Sequence, residues 1–276
     1  MRKVFRPQSL EQLWQLQQEH TDAALYAGGT DLLVKIRAGI IDPPALITLE
    51  SLAELVTIDE LSDEIAIGAG VTHSQLLNSP LIQTHFPVLI KSLQFLGSPH
   101  IRNMGTIGGN IMTASPAADT LPPLYTLQAD IELIKQKSRR RLQLSDFITG
   151  PGRTRIENGE ILSRIIIPKN PAFSHHFFEK VGLRQALSIA IVSMAALYNL
   201  TPDKTITDLR LAWGSLGPTI ISRPEIEQFM VGKILNKTLL KEAGNQLRQQ
   251  IAPISDVRAG ADYRRQIAGN LLQRLN

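Results

Sequence analysis

Apolar positions in the first fifty residues alternate between helical and strand spacing. Leu10, Leu13, Trp14 and Leu16 fall on one face of a helix that Ser9 can cap and that runs to about Gln18. Ala23–Ala27 reads as a short strand, Thr30–Ile36 as a short helix and Ala45–Leu49 as a buried strand, a small β–turn–α–β unit. Val56–Ile58 and Glu64–Gly68 are the next predicted strands. Thr72 can cap a helix holding Leu76 and Leu77, and Pro87–Leu96 suits a longer apolar helix. Ile131–Ile134 and Ile161–Ile167 read as strands, with Lys135–Arg141 as a charged hairpin connection. Pro168-Lys169-Asn170-Pro171 then breaks the pattern and marks a domain boundary. Phe173–Val181 and Leu209–Ser215 are further strands. Ile189–Leu200 is apolar on every side, which fits a buried strand or a buried helix. From about Arg223 the spacing is helical, with turns near Gly232 and Pro253.

Composition narrows the chemistry. The chain has 276 residues, 43% hydrophobic and 20% charged, enough for a substantial core and for two domains or subdomains. Its 29 Lys and Arg against 25 Asp and Glu leave a formal charge of +4, which favours an anionic ligand. That excess is too small and too scattered to argue for nucleic acid. There is no cysteine, so disulfides, thiolate metal sites, cysteine-ligated iron–sulfur clusters and a catalytic thiol are excluded within the chain. The start, Met1–Pro7, is basic without an apolar signal core, and no segment approaches the roughly 20 apolar residues that span a bilayer. A cytoplasmic protein is expected.

Two glycine turns carry the candidate chemistry: Ala27-Gly28-Gly29-Thr30-Asp31 and Met104-Gly105-Thr106-Ile107-Gly108-Gly109-Asn110. Glycine permits positive φ and close approach, so consecutive N–H groups can converge on a phosphate. One such turn is usually only a turn; two can hold the two halves of a pyrophosphate. Neither has the Gly-Lys-Ser/Thr of a Walker loop. Gly68-Ala69-Gly70 sits where a Rossmann turn would, but His73 replaces the third glycine and no suitable acid lies about 20 residues on. The run from Gly97 to Thr120 has little periodicity and many small or polar residues, which is costly to order without something to wrap. His73, His100, His175 and His176 do not have ligand spacing and read as surface or supporting histidines, with no metal expected. Arg139, Arg140 and Arg141, with Lys135 and Lys137, read as a solvated hairpin.

Four stretches in order carry a resemblance: YAGGTDLL (Tyr26–Leu33), GSPHIRNMGTIGGNIMTASPAADT (Gly97–Thr120), ILSRIIIP (Ile161–Pro168) and EKVGLRQALSIA (Glu179–Ala190). With these the chain resembles the FAD-binding medium subunit of the molybdenum hydroxylases, the xanthine dehydrogenase and aerobic carbon monoxide dehydrogenase group. The resemblance implies that Ala27, Gly28, Gly29, Thr30, Asp31 and Leu32, with Thr106, Ile107, Gly108, Gly109 and Asn110, wrap the pyrophosphate and ribityl regions of FAD. It implies Asp119 on a cofactor hydroxyl, Leu162 along the adenosine side and Lys180 near the isoalloxazine. Phe95 matches the family's aromatic near the cofactor. Read without the resemblance, Asp119 caps a helix over Thr120–Leu127 about as well, and Lys180 is a solvated strand residue.

The implied fold is α+β. A two-lobed FAD-binding domain of the vanillyl-alcohol-oxidase/PCMH type spans 1–168, with lobes of about 1–55 and 56–168. A C-terminal domain of antiparallel sheet and helices spans 172–276. The implied activity is that of an FAD-dependent oxidoreductase subunit with no catalytic side chain of its own. Its partners would be a large subunit with a molybdenum cofactor and a small one with two [2Fe–2S] clusters, and its acceptor NAD or another oxidant. Two alternatives stand beside this: a self-sufficient FAD-dependent NAD(P)H oxidoreductase, and a non-catalytic assembly subunit.

Overall fold

A computed structural model describes residues 2–169, 173–184 and 187–275. Asn170 and Pro171 of the expected domain break lie outside the described residues, as do Gln185 and Ala186 of the fourth matching stretch. Strands β1 (Lys3–Phe5), β2 (Ala24–Tyr26) and β3 (Ala45–Thr48) form a parallel sheet in the order β1-β3-β2. Parallel neighbours need crossovers, and the helices Leu10–Glu19 and Leu32–Arg37 supply them. Ser9 caps the first, its side chain accepting the Gln12 N–H, and Leu13 on that helix is fully buried. Every residue of the central strand β3 is buried, so it reads as an unbroken apolar run.

The second sheet is antiparallel and five-stranded. It joins β4 (Ile58–Glu60), β5 (Glu64–Gly68), β6 (Asp130–Lys135), β7 (Ser138–Gln143) and, after the small pair β8 (Ile148–Gly150) and β9 (Arg153–Thr154), β10 (Ile161–Pro168). Their order is β4-β5-β10-β6-β7. The β6–β10 register shifts between Leu162 and Arg164, where the Ser163 hydroxyl donates to Glu132 Oε1 at 2.8 Å. The predicted charged connection is corrected here. Arg139, Arg140 and Arg141 are residues of β7, and they pair with Glu132, with Glu160, and with Glu64 and Asp130 respectively. Alternate strand positions set these arginines beside carboxylates of neighbouring segments, which solvation alone did not anticipate.

The stretch of little periodicity contains two short helices, Pro99–Met104 and Ile107–Thr113, and a third, Leu121–Thr126, follows it directly. Ser98 and Thr106 cap the first two through their side chains. At six or seven residues, none is long enough to show a helical period in sequence.

Strands β11 (His175–Val181), β12 (Val192–Leu200) and β13 (Ile206–Gly214) form a third, antiparallel sheet in chain order. On β12, Met194, Ala196 and Tyr198 pack with the helices Pro224–Met230, Lys237–Gln250 and Ala261–Leu272. Ala195 and Leu197 point the other way and join the core of the five-stranded sheet. Burial on both faces makes this run apolar throughout, which is why its pattern fits strand and helix alike, and it is a strand. The chain thus adopts the α+β class that its motifs implied.

Candidate functional site

Both glycine turns line one cavity of about 500 Å³. Ala27, Gly28, Gly29, Thr30, Asp31 and Leu32 line it, as do Thr106, Gly108, Gly109, Asn110 and Leu162. Ile107 is absent from this wall. Its side chain is fully buried in the core and its N–H donates to the Val71 carbonyl at 3.0 Å.

The first turn leaves β2 at Tyr26 and enters the helix Leu32–Arg37. Gly29 takes φ +69°, a conformation that favours glycine. The N–H groups of Gly28, Gly29, Thr30, Asp31 and Leu32 have no acceptor among the described residues. A row of open donors on a cavity wall suits an anionic ligand. Gly28 itself is required by packing: a Cβ there would lie 1.6 Å from the Met104 carbonyl oxygen. The two turns therefore touch backbone to backbone. Asp31 ties them further, pairing with Lys35 at 2.7 Å and accepting the Thr113 hydroxyl at 3.2 Å.

The second turn is bonded inward. Gly105 donates to Ile101, Gly108 to Ala69, and Asn110 to the Thr106 carbonyl. The Gly109 N–H donates to Thr106 Oγ1 at 3.0 Å, the cap of the helix Ile107–Thr113. A Cβ at Gly109 would meet nothing within 4 Å except that same oxygen, at 3.0 Å. Its remaining face is open towards the cavity.

Asp119, Lys180 and Phe95 do not line the cavity. They form a second cluster, bridging the matched N-terminal stretches and β11. Lys180 Nζ sits 2.6 Å from Asp119 Oδ2 and donates to the Phe95 carbonyl at 2.9 Å. The Phe95 ring is 41% exposed and lies 6.1 Å from that of Phe178. Burial pushes the Asp119 carboxyl up from 3.8 to about 6, with the Lys180 cation pulling the other way. Asp119 Oδ1 is buried and has no partner. Asp119 does not cap the helix Leu121–Thr126, and Lys180 is not solvated. The two clusters are linked, because the Thr120 hydroxyl donates to Asn110 Oδ1 on the cavity wall at 2.5 Å.

Sequence reasoning missed three contributors. His73 is in the cavity wall, not on the surface. Arg264 is buried, pairs with Asp256 at 2.8 Å, and donates to the carbonyls of Ile191 and Ser215. Ser215 in turn donates its N–H to the Pro116 carbonyl, which steadies the loop ending at Asp119. Helical spacing marks Arg264, since it shares a face with the buried Ala268, Leu271 and Leu272. Glu160, also on the wall, is held by Arg140 in a two-point pair.

Together, the open N–H row and the bare face of Gly109 fit a ligand that carries a diphosphate, and outside the cavity the unpartnered Asp119 oxygen can accept a hydroxyl. Among the described residues no three metal-ligating side chains converge, and no helix is long and apolar enough to cross a membrane.

Comparison with known proteins agrees. The family described as the FAD binding domain in molybdopterin dehydrogenase matches residues 1–170, and the CO dehydrogenase flavoprotein C-terminal domain matches residues 177–276. The chain is 30% identical to the nicotinate dehydrogenase FAD-subunit of Eubacterium barkeri, over 99% of this chain and 94% of that one. It is 32% identical to the xanthine dehydrogenase FAD-binding subunit of Escherichia coli O157:H7, over 89% and 85%. Among solved structures, quinoline 2-oxidoreductase from Pseudomonas putida 86 superposes with a TM-score of 0.94 at 27% identity, covering 99% of this chain and 95% of that one. Carbon monoxide dehydrogenase from Hydrogenophaga pseudoflava gives 0.92 at 27% identity, with the same coverage.

Proposed function

The chain belongs to the FAD-binding medium subunits of the molybdenum hydroxylases, and from that premise we propose that it is the flavin-holding, electron-relaying part of such an enzyme. In this reading its partners are a molybdenum-bearing large subunit and a small subunit with [2Fe–2S] clusters, and NAD or another oxidant is the acceptor. FAD, when bound, supplies the chemistry that joins one-electron carriers to a two-electron acceptor. Residues 1–168 form the FAD-binding domain, in lobes of about 1–55 and 56–168, and 172–276 the second domain.

The observation that carries this reading is the run of five open N–H groups from Gly28 to Leu32 on the cavity wall. They would receive the diphosphate, with Asn110 and the bare face of Gly109 bordering it. Leu162 gives an apolar surface for the adenosine side. Asp119 Oδ1 would accept a cofactor hydroxyl. Lys180 is held in place by Asp119 and the Phe95 carbonyl, so its cation is positioned before any ligand arrives and favours negative charge nearby.

The test is to purify the chain without added cofactor, release any chromophore and identify it, then look for copurifying subunits. Stoichiometric FAD together with molybdenum- and cluster-bearing partners is expected. A folded chain that takes up no FAD, alone or with partners, overturns the reading. Substrate reduction by the isolated chain with NAD(P)H would show a self-sufficient oxidoreductase instead.

A further inference from the structure

His73 stands where the two glycine turns meet. It is the first residue of the helix His73–Asn78, and the capping box of Thr72 and Gln75 fixes that helix start. Its N–H donates to the Gly105 carbonyl at 3.0 Å. A Cβ built on Gly105 would lie 3.2 Å from His73 Cδ2 and 3.3 Å from Thr30 Oγ1. The imidazole and the first turn thus flank one point of the second turn, and His73, Thr30 and Gly105 all line the cavity. The residue is 3% exposed, and its Nδ1 is buried without a partner.

A buried polar atom without a hydrogen bond is uncommon and unfavourable. Nothing among the described residues relieves it. The neighbouring cation, Arg102, donates to the carbonyls of Leu96 and Gly97. The charged groups on the cavity wall are engaged as well, Asp31 with Lys35 and Glu160 with Arg140. Burial, helped by Arg102, pushes the imidazole down to about 4, so near neutral pH it is uncharged and carries one ring N–H.

We propose that His73 is a further cofactor-binding residue of this chain, its neutral imidazole donating a ring N–H to an oxygen of the FAD diphosphate at the junction of the two turns. This rests on the FAD reading above. The tautomer follows from the ligand, since an acceptor nitrogen turned towards a phosphate oxygen would repel it. His73 would add a side-chain donor to a row of backbone donors, from a segment outside both glycine motifs.

The experiment uses the full chain stripped of cofactor. FAD is titrated by the quenching of its fluorescence, and ADP is titrated as a competitor, for wild type, His73→Phe and His73→Asn. His73→Phe keeps a ring and removes both nitrogens; His73→Asn keeps a donor. For His73→Phe, FAD and ADP should both weaken on the order of tenfold. His73→Asn should recover most of that loss. Equal affinities for wild type and His73→Phe overturn the inference. Weaker FAD with unchanged ADP also overturns it, by placing the contact outside the diphosphate. If His73→Phe does not fold, imidazole 15N spectra of wild type decide: FAD should drive His73 into a single hydrogen-bonded tautomer, and an unchanged spectrum counts against the bond. A wild type that binds neither ligand sinks the FAD reading itself, which the variants alone cannot do.

Discussion

From Gly28 to Leu32 five successive N–H groups have no acceptor among the described residues, whereas from Gly105 to Asn110 five of six N–H groups bond within the chain. The turns look alike in sequence, yet one presents donors and the other is scaffold. The difference comes from their neighbours. The second turn lies against the end of β5, where Ala69 and Val71 offer carbonyls, while the first projects from the edge strand of a three-stranded sheet. Glycine serves both turns for different reasons. At Gly28 it allows contact with another backbone, and at Gly109 it keeps a wall bare.

The largest effect is expected at Gly28. Alanine there would set its Cβ 1.6 Å from the Met104 carbonyl oxygen, which is backbone and cannot swing aside. Gly28→Ala should destabilise the protein by about 4 kcal/mol, the range of severe core disruption, and lower its thermal unfolding whether or not FAD is present. An unchanged unfolding temperature would mean that the two turns do not touch.

Lys180 tests whether the backbone contrast has a counterpart made of side chains. Removing one member of a buried ion pair strands the other charge. Lys180→Met should lose about 3 kcal/mol at pH 8. The loss should be smaller at pH 5, because Asp119 is then free to take a proton. The wild type has its own pH signature. The Asp119 carboxyl stands at about 6, above its ordinary 3.8, so its contribution to stability is fully present below pH 3.8 and is lost as pH rises through 6. Relative to Asp119→Asn, the wild type should therefore lose up to about 3 kcal/mol between pH 4 and pH 6, as denaturant unfolding would record. A loss in the opposite direction would mean that the Lys180 cation outweighs the burial.

Gly109 is the opposite case to Gly28. A Cβ there meets only the Thr106 hydroxyl, so Gly109→Val should change stability by about 1 kcal/mol or less while weakening FAD about a hundredfold or more. A folded Gly109→Val that retains stoichiometric FAD would remove the cofactor from this wall.

Much of this was legible in the sequence, and the limits have physical causes. The glycine turns, the Ser9 and Thr72 caps and the strands β3, β5 and β10 declare themselves through local chemistry. The β12 run is ambiguous because both of its faces are buried. Which N–H groups stay open is invisible, since it depends on carbonyls that tertiary packing brings up or leaves away. Lys180 and Asp119 are 61 residues apart, and neither stretch announces the other. The arginines of β7 look like a solvated run until the register sets Glu132 and Glu64 beside them. His73 failed as the third glycine of a Rossmann turn, and that mismatch was its one visible signal.

The smallest expected effect bears most directly on the two turns. Thr106→Val keeps the shape of the residue and removes the oxygen that accepts the Gly109 N–H. Without ligand the helix Ile107–Thr113 loses its cap, at a cost of about 1 kcal/mol. The Gly109 N–H is then left without an acceptor, beside the space assigned to the diphosphate. If a phosphate oxygen accepts it, the FAD-bound protein should lose less than the ligand-free protein, and thermal unfolding of both forms measures the difference. An equal loss would mean that this N–H points away from the cofactor, leaving the second turn as scaffold and the first to hold the anion with His73.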